Sequence, residues 1–319
     1  MMVKVSSIAA LVPTIISALV DPGSCMHISS KSISRRSALG DSVAGGASIL
    51  ISLAPRAAIA AASSKTPIAD RINAASLTEP PPSMGSELKG IDNMYYPSWM
   101  AGEWEVTQTL ESAETPLGLK FVGGPAGSEA IASASMKEQR RQLGVPVKLR
   151  LRWVKTKFGV AEDRIFNGRE RLDGFAGRNV VASVEYANVG GSNRAAVLTF
   201  GGTEDDPLQT TMVRFRGPAA QKNFLVSHGE GYDAENGNKW ACFEVLRSIF
   251  ALTNQNTAPP VTTDTENIWA FERIDDENIS AQLRIASYLN AQSDSLYFEA
   301  RNRAVSFADY TLQLKKVSS

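Results

Sequence analysis

Residues 146–153 read Pro146-Val147-Lys148-Leu149-Arg150-Leu151-Arg152-Trp153. Apolar and basic residues alternate without a break. In an extended chain this puts Val147, Leu149, Leu151 and Trp153 on one face and Lys148, Arg150 and Arg152 on the other. That is the period of a strand in a sheet with one buried and one wet face. Glu103-Trp104-Glu105-Val106-Thr107 alternates in the same way, and further runs fall near 179–188, 194–201, 209–216, 222–232, 239–250, 264–274, 279–290 and 304–316. Turn chemistry separates them: Gly190-Gly191-Ser192-Asn193, Glu204-Asp205-Asp206-Pro207, Glu235-Asn236-Gly237-Asn238 and Asp275-Asp276-Glu277-Asn278. Long helical patterns are scarce, and one short helix fits Asn167 to Phe175. The pattern predicts an all-β fold of about ten antiparallel strands. An up-and-down barrel is its simplest closed form, since closure removes exposed edges; a β-sandwich satisfies the same pattern.

The first 60 residues have a different character. Lys4 precedes a 13-residue uncharged run, Ile8 to Val20, too short to span a bilayer. This reads as a signal peptide over residues 1–25. Residues 26–60 begin Ser-rich and basic, like a plastid transit peptide. They then carry Arg35-Arg36, an apolar core from about Val43 to Leu53, and the small residues Ala58 and Ala60 of a cleavage site. That order reads as a twin-arginine signal for the thylakoid lumen. Residues 61–93, with Glu79-Pro80-Pro81-Pro82-Ser83, are expected to be a linker with little fixed structure. Residues 94–319 are expected to form the β-barrel domain.

Composition excludes several functions. The chain has 33 basic and 33 acidic residues; residues 1–60 hold five and two of them, which leaves 28 and 31 and a net charge of −3 beyond the leader. A nucleic-acid binder would carry a basic excess. No later stretch is long and apolar enough for a transmembrane span. Cys25 lies in the leader, so Cys242 alone remains, which excludes an internal disulfide and a cysteine cluster for zinc or iron–sulfur. No cofactor or metal is required by the sequence.

Two features favour a barrel over a sandwich. Gly102-Glu103-Trp104 opens the first strand as in lipocalins, where the Trp plugs the closed end. The longest connection, roughly 111–145, follows that strand, where a lipocalin-like barrel carries a lid across its mouth. A second resemblance is broader. Tyr96-Pro97-Ser98-Trp99-Met100-Ala101-Gly102-Glu103-Trp104-Glu105-Val106-Thr107 is similar to the opening of a cyanobacterial and plastid family known as domain of unknown function 6816. The likeness continues through Pro116-Leu117-Gly118, Ala161-Glu162-Asp163-Arg164-Ile165-Phe166-Asn167, Thr265-Glu266, Tyr288-Leu289 and Tyr310-Thr311-Leu312-Gln313-Leu314. It implies a plastid or thylakoid setting and transfers no catalytic residues.

His228 is the single histidine beyond the leader. Period two puts Phe224, Val226, His228, Glu230 and Tyr232 on one face, with His228 beside a carboxylate. It suits a hydrogen-bonded core or rim residue, an axial ligand, a general base or a pH sensor. Candidate ligand-binding residues are Trp104, Trp153, His228, Glu230, Tyr232 and Trp240. Candidate partner-binding residues are Lys148, Arg150, Arg152, Arg214 and Arg216, a positive stripe for an acidic partner or anionic lipid if their strand faces adjoin. Asp205-Asp206 and Asp275-Asp276 fall at turns, where Asp serves the backbone rather than catalysis. Three functions follow from these readings. The first expectation is a soluble lumenal barrel binding an apolar small molecule, such as a lipid, pigment or isoprenoid. The alternative is an assembly or interaction factor for a photosynthetic complex. An enzyme with a barrel pocket has least support, because no constellation of catalytic groups is visible.

Overall fold

A computed structural model describes residues 68–80, 94–124, 128–186, 210–232, 237–254, 260–291 and 294–318. Its strands are β1 (Gly102–Glu114), β2 (Pro146–Lys155), β3 (Val160–Glu162), β4 (Val181–Tyr186), β5 (Thr210–Phe215), β6 (Ala219–Tyr232), β7 (Lys239–Leu252), β8 (Val261–Arg273), β9 (Asn278–Tyr288) and β10 (Ser306–Lys316). The helices are α1 (Ile68–Arg71), α2 (Glu129–Arg141), α3 (Arg164–Ala176) and α4 (Tyr297–Ala300). All strands join one antiparallel sheet in the order β3-β2-β1-β10-β9-β8-β7-β6-β5-β4. The fold is therefore all-β and up-and-down, with β10 returning to pair β1 from Trp104↔Lys316 to Glu114↔Phe307. The sheet curls into a half-barrel. Among the described residues its two ends, β3 and β4, do not pair, so the up-and-down barrel expected from the sequence is a half-barrel over these residues. The expected strand at 194–201 lies outside the described residues, and the three-residue β3 was not expected.

Helix α3 stands where the missing β3–β4 pairing would be. β3 is too short to cover the edge of β2. Asn167 instead accepts from the Arg152 N–H (2.7 Å) and donates to its carbonyl (3.1 Å), while Glu170 accepts from the Arg150 N–H (3.1 Å). One turn on, Gly174 lets the helix approach Leu149: a Cβ there would lie 3.3 Å from the Leu149 Cβ. Positions 167, 170 and 174 form one helical face, so side chains satisfy an edge that would otherwise solicit another strand. A second face packs Ile165, Leu172 and Ala176 on Val180, Val181, Val184 and Val213. Asp173 accepts from the Val180 and Val181 N–H groups at 2.6 and 2.9 Å. The helix starts at Asp163, whose side chain caps Phe166 N–H at 3.0 Å, and stops at Gly177, which is left-handed at φ 63°.

The concave face holds the main core: Trp104, Val106 and Leu110 of β1, Leu149, Leu151 and Trp153 of β2, Trp240 and Cys242 of β7, Trp269 and Phe271 of β8, and the inward residues of β9 and β10. Alternation in β2 fell as read, with Leu149, Leu151 and Trp153 buried. Met94, Tyr96 and Met100 come from the chain before β1 and enter the same cluster. The long connection after β1 is not a bare loop. Ser128 caps α2, and Phe121, Val122 and Ala132 pack on Leu289, Ala300 and Val305 of the β9–β10 connection. The small residues of Glu129-Ala130-Ile131-Ala132-Ser133-Ala134 hide the helical period from a hydrophobicity pattern.

The linker reading of 61–93 is corrected over residues 68–80. This strap lies on the convex face of β8–β10, with Ile72 and Leu77 against Ile268, Ala286, Tyr288, Ala304 and Phe307. Arg71 grips Glu266 at 2.7 and 2.8 Å, and the Tyr288 hydroxyl donates to the same carboxylate at 2.6 Å. Arg284 holds Asp309 in a bidentate pair and donates to the Ala74 carbonyl. Backbone bonds Glu79 N–H to Asn302 O and Ala304 N–H to Leu77 O, both 2.9 Å, complete the attachment. Composition misled here because Ala, Ser and Thr say nothing about a few anchoring residues. Arg71 also lies 5.7 Å from the Phe243 ring centroid. That ring covers Gly229, its cross-strand partner, where an added Cβ would meet it at 2.5 Å.

Two outcomes follow. Leu172→Ala should lower unfolding free energy by about 2–4 kcal/mol in urea titration, since it empties the helix face that closes the seam. Burial pushes the Glu79 carboxyl up to about 7; Asp264 and Glu266 add to the shift and Arg247 opposes it. The docked strap thus holds a proton that a free strap, at the ordinary 4.5, gives up. This contribution to docking is complete below 4.5 and is lost as pH rises through 7. Amide protection of residues 68–80, corrected for intrinsic exchange, should fall across that window, and Glu79→Gln should flatten the fall.

Candidate functional site

The segment Ala161-Glu162-Asp163-Arg164-Ile165-Phe166-Asn167 runs from β3 into α3 and builds a buried polar cluster. Glu162 stands opposite Trp153 in the β2–β3 ladder, which turns its carboxylate into the half-barrel. There it accepts from Arg171 at 2.7 Å and from Asn167 at 3.0 Å, and lies 3.5 Å from Arg164. Arg164 reaches past it to Glu244 of β7, closing an ion pair with one carboxylate oxygen and a 3.5 Å contact with the other. β7 is six strands away in the sheet, so Arg164 bridges the interior between the seam and the opposite wall. The third face of α3, Arg164, Arg171 and Phe175, is thus the inward one. The Arg171 guanidinium lies 5.6 Å from the Trp269 ring centroid, and the Phe175 ring 6.1 Å from that of Tyr310.

Two arginines face two glutamates, so the cluster is neutral and each charge is compensated. Burial pulls the Glu162 carboxyl upward, but Arg171, Arg164 and the Asn167 hydrogen bond outweigh it and hold it below 4.5. Burial opposes the charge of Arg164, yet Glu244 and Glu162 hold its pKa above the ordinary arginine value. Burial and the nearby Glu244 push the Tyr96 phenol well above 10. Burial likewise raises Tyr186, whose phenol meets the Arg164 backbone. Cys242 is fully buried, and burial beside Glu244 and Glu162 pushes its thiol up, which leaves it a poor nucleophile. These groups keep fixed protonation states around neutrality. Their arrangement suits holding the fold at its seam rather than proton transfer.

The sequence-based site residues divide. Trp104, Trp153 and Trp240 lie in the core cluster. Trp104 donates its Nε1–H to the Met100 carbonyl at 2.9 Å, while the Trp153 Nε1–H is buried with no hydrogen-bond partner among the described residues. Ring contacts join these residues: Tyr96 to Trp240 at 4.7 Å, Trp269 stacked on Phe271 at 5.2 Å, Trp240 to Phe271 at 5.8 Å. In β6 a register shift between Leu225 and Ser227 corrects the single-face reading. His228 stands opposite Glu244 and Glu230 opposite Cys242, which is the concave side, and Tyr232 pairs with Trp240 in the backbone ladder. Phe224, beyond the bulge, falls on the other face, opposite Arg247. His228 is half-buried, while Glu230 is exposed at the rim; partial burial raises its carboxyl and His228 counters that.

The positive stripe is not continuous. β2 and β5 lie near opposite ends of the sheet order. Arg150 pairs with Glu103 at 2.9 Å, Arg152 with Asp163 at 2.7 Å and Arg214 with Glu185 at 3.3 Å. Arg150 and Arg152 also flank the Phe166 ring, at 5.6 and 4.2 Å. Lys148 of β2 is exposed, as is Arg216, the residue that follows β5. Asp275 accepts from the Glu277 and Asn278 N–H groups at 2.8 and 2.7 Å, the turn role expected of it. Arg35, Arg36, Ala58, Ala60 and Asp205-Asp206 lie outside the described residues. The sequence pattern did not single out Glu162, Arg164, Arg171 and Glu244 as a set. Their one sequence signal was Arg and Glu at positions that period two or the helix turns inward.

Arg164→Met leaves Glu162 and Glu244 buried with a lost partner and should cost about 3–5 kcal/mol in urea unfolding. Adding Glu244→Gln should recover part of that loss, which a double-mutant cycle would read as coupling. Because the Glu162 carboxyl is held below 4.5, its contribution is present above that pH and is lost as pH falls through its folded value.

A family model described as Domain of unknown function (DUF6816) matches residues 89–318. No curated protein and no solved structure matches the chain. The match takes in every strand of the half-barrel and the whole 161–167 segment, and the chain belongs to the DUF6816 family.

Proposed function

We propose that this protein is a half-barrel interaction module that works through its surface, as an assembly or interaction factor for a photosynthetic complex in the thylakoid lumen. One observation carries the choice over an apolar-ligand barrel. The concave face is occupied by its own side chains, a contiguous set of aromatic rings at one level and the Glu162–Arg164–Glu244 bridge at another. A lipid or pigment needs several hundred Å³ of apolar interior. Here that space would have to be made by parting stacked rings and breaking a desolvated ion pair. The compartment rests on the leader alone: an apolar core behind Lys4, a basic Ser-rich stretch, then Arg35-Arg36 and Ala58-Ile59-Ala60. The mild acidic excess beyond the leader suits such a role, and the paired arginines of β2 leave that strand few free charges for a partner.

Native mass spectrometry of the protein taken gently from its own cells tests this. The expected spectrum is the bare polypeptide mass, or that mass joined to another protein. A small added mass that leaves on denaturation would overturn the reading in favour of a ligand carrier.

A further inference from the structure

We propose that the end of the half-barrel built by residues 115–124, 128–145, 289–291 and 294–305 docks on a membrane surface carrying anionic lipids. This rests on the surface-acting reading and names the surface and its partner. Of the seven large apolar side chains exposed among the described residues, Leu119, Leu143, Val145 and Phe298 belong to these two connections. They are brought together because β1 ends where β10 begins, and because Phe121, Val122 and Ala132 pack on Leu289, Ala300 and Val305. Phe298 is the extreme case, 82 % exposed on the short helix α4, its ring edge-on to Tyr297 at 5.3 Å.

The charge around these residues has the opposite sign to the domain. The two connections hold six basic and four acidic residues, against a net of −3 beyond the leader. A groove of about 430 Å³ along α2 is lined by Leu119 and Met136 together with Lys137, Arg140 and Arg141. Glu138 pairs with Arg141 at 2.8 Å, and Glu299, beside Phe298, meets Lys120 next to Leu119, which ties the Phe298 helix to the groove. Among the described residues no ion pair engages Lys137 or Arg140, and both are exposed.

Single apolar side chains set among long cations are the pattern of an interfacial anchor. The apolar groups enter the acyl boundary, and lysine and arginine stems lie along it with their charges at the headgroups. A protein partner needs a continuous complementary area of about 800 Å² on each side, which scattered residues on two connections do not offer. Each cation near an anionic surface is worth about a fivefold gain in partitioning, and an inserted phenylalanine about tenfold or more.

Hydrogen exchange of the full chain with vesicles reads the surface directly, whatever the leader itself does. With phosphatidylglycerol/phosphatidylcholine vesicles, peptides covering 119–122, 129–145 and 296–303 should gain protection, and with phosphatidylcholine alone they should not. Lys137→Ala/Arg140→Ala should weaken the gain about 25-fold, and Phe298→Ser about tenfold. Phe298 is so exposed that the serine variant should melt like the parent, which separates docking from folding. Protection confined to the leader, equal protection by neutral vesicles, or protection of the same peptides by raised protein concentration without vesicles would each overturn the inference. None of these results bears on whether the interior is empty, so the surface-acting reading stands or falls on the mass spectrum alone.

Discussion

Arg164 carries a guanidinium in the interior of a β-sheet protein, between Glu162 beside it and Glu244 on the far wall. Desolvating an arginine and two carboxylates costs several kcal/mol per ion, and their attraction repays this only when every remaining lone pair and proton is met. Here Asn167 and Arg171 add two donors to Glu162 from the same helix. The geometry of the seam follows. For Arg164 to reach Glu244, α3 must begin immediately after β3, and Asp163 must cap it there. Once the helix is so placed, its other two faces fall on the unpaired edge of β2 and the apolar side of β4.

The helix answers a problem common to open sheets. Edges invite pairing with other chains, and a barrel avoids them by closing. Among the described residues this sheet leaves β3 and β4 without pairing to each other, and it covers β2 with amide and carboxylate side chains that imitate a neighbouring strand. The segment 161–167 supplies the Asn167 amide of that cover, and it also provides Glu162 and Arg164 of the interior bridge. A substitution in it would disturb the edge, the helix start and the buried ion pair at once. That concentration of roles in seven residues fits a scaffold whose shape is the product, with action left to the outer surfaces.

Those surfaces are unequal. The convex face of β8–β10 is sealed by the strap, which adds the bidentate Arg71–Glu266 pair and the Arg284 bond to the Ala74 carbonyl to a small apolar cluster. The end formed by the two long connections has its own apolar cluster beneath, yet leaves large apolar and basic groups in water above it. Burial on one side and exposure on the other distinguish a fixed part of the fold from a surface kept open.

Period two in 146–153 and its echoes along the chain determined the all-β fold, because the alternation of a half-buried strand is a local property of the residues. Turn residues such as Asp275 and the inward positions of Trp104, Trp153, Trp240 and His228 were legible for the same reason. The bulge that turns Phe224 away from His228 was not, since one extra residue leaves no mark in composition. Helix α2 and the strap were hidden by small residues whose packing partners lie some 160 to 230 residues away in sequence. Whether the sheet closes, and what fills it, only the tertiary structure decided. Glu162, Arg164, Arg171 and Glu244 are four ordinary charges in the sequence. They become a bridge only when the sheet's curvature brings β7 opposite the seam.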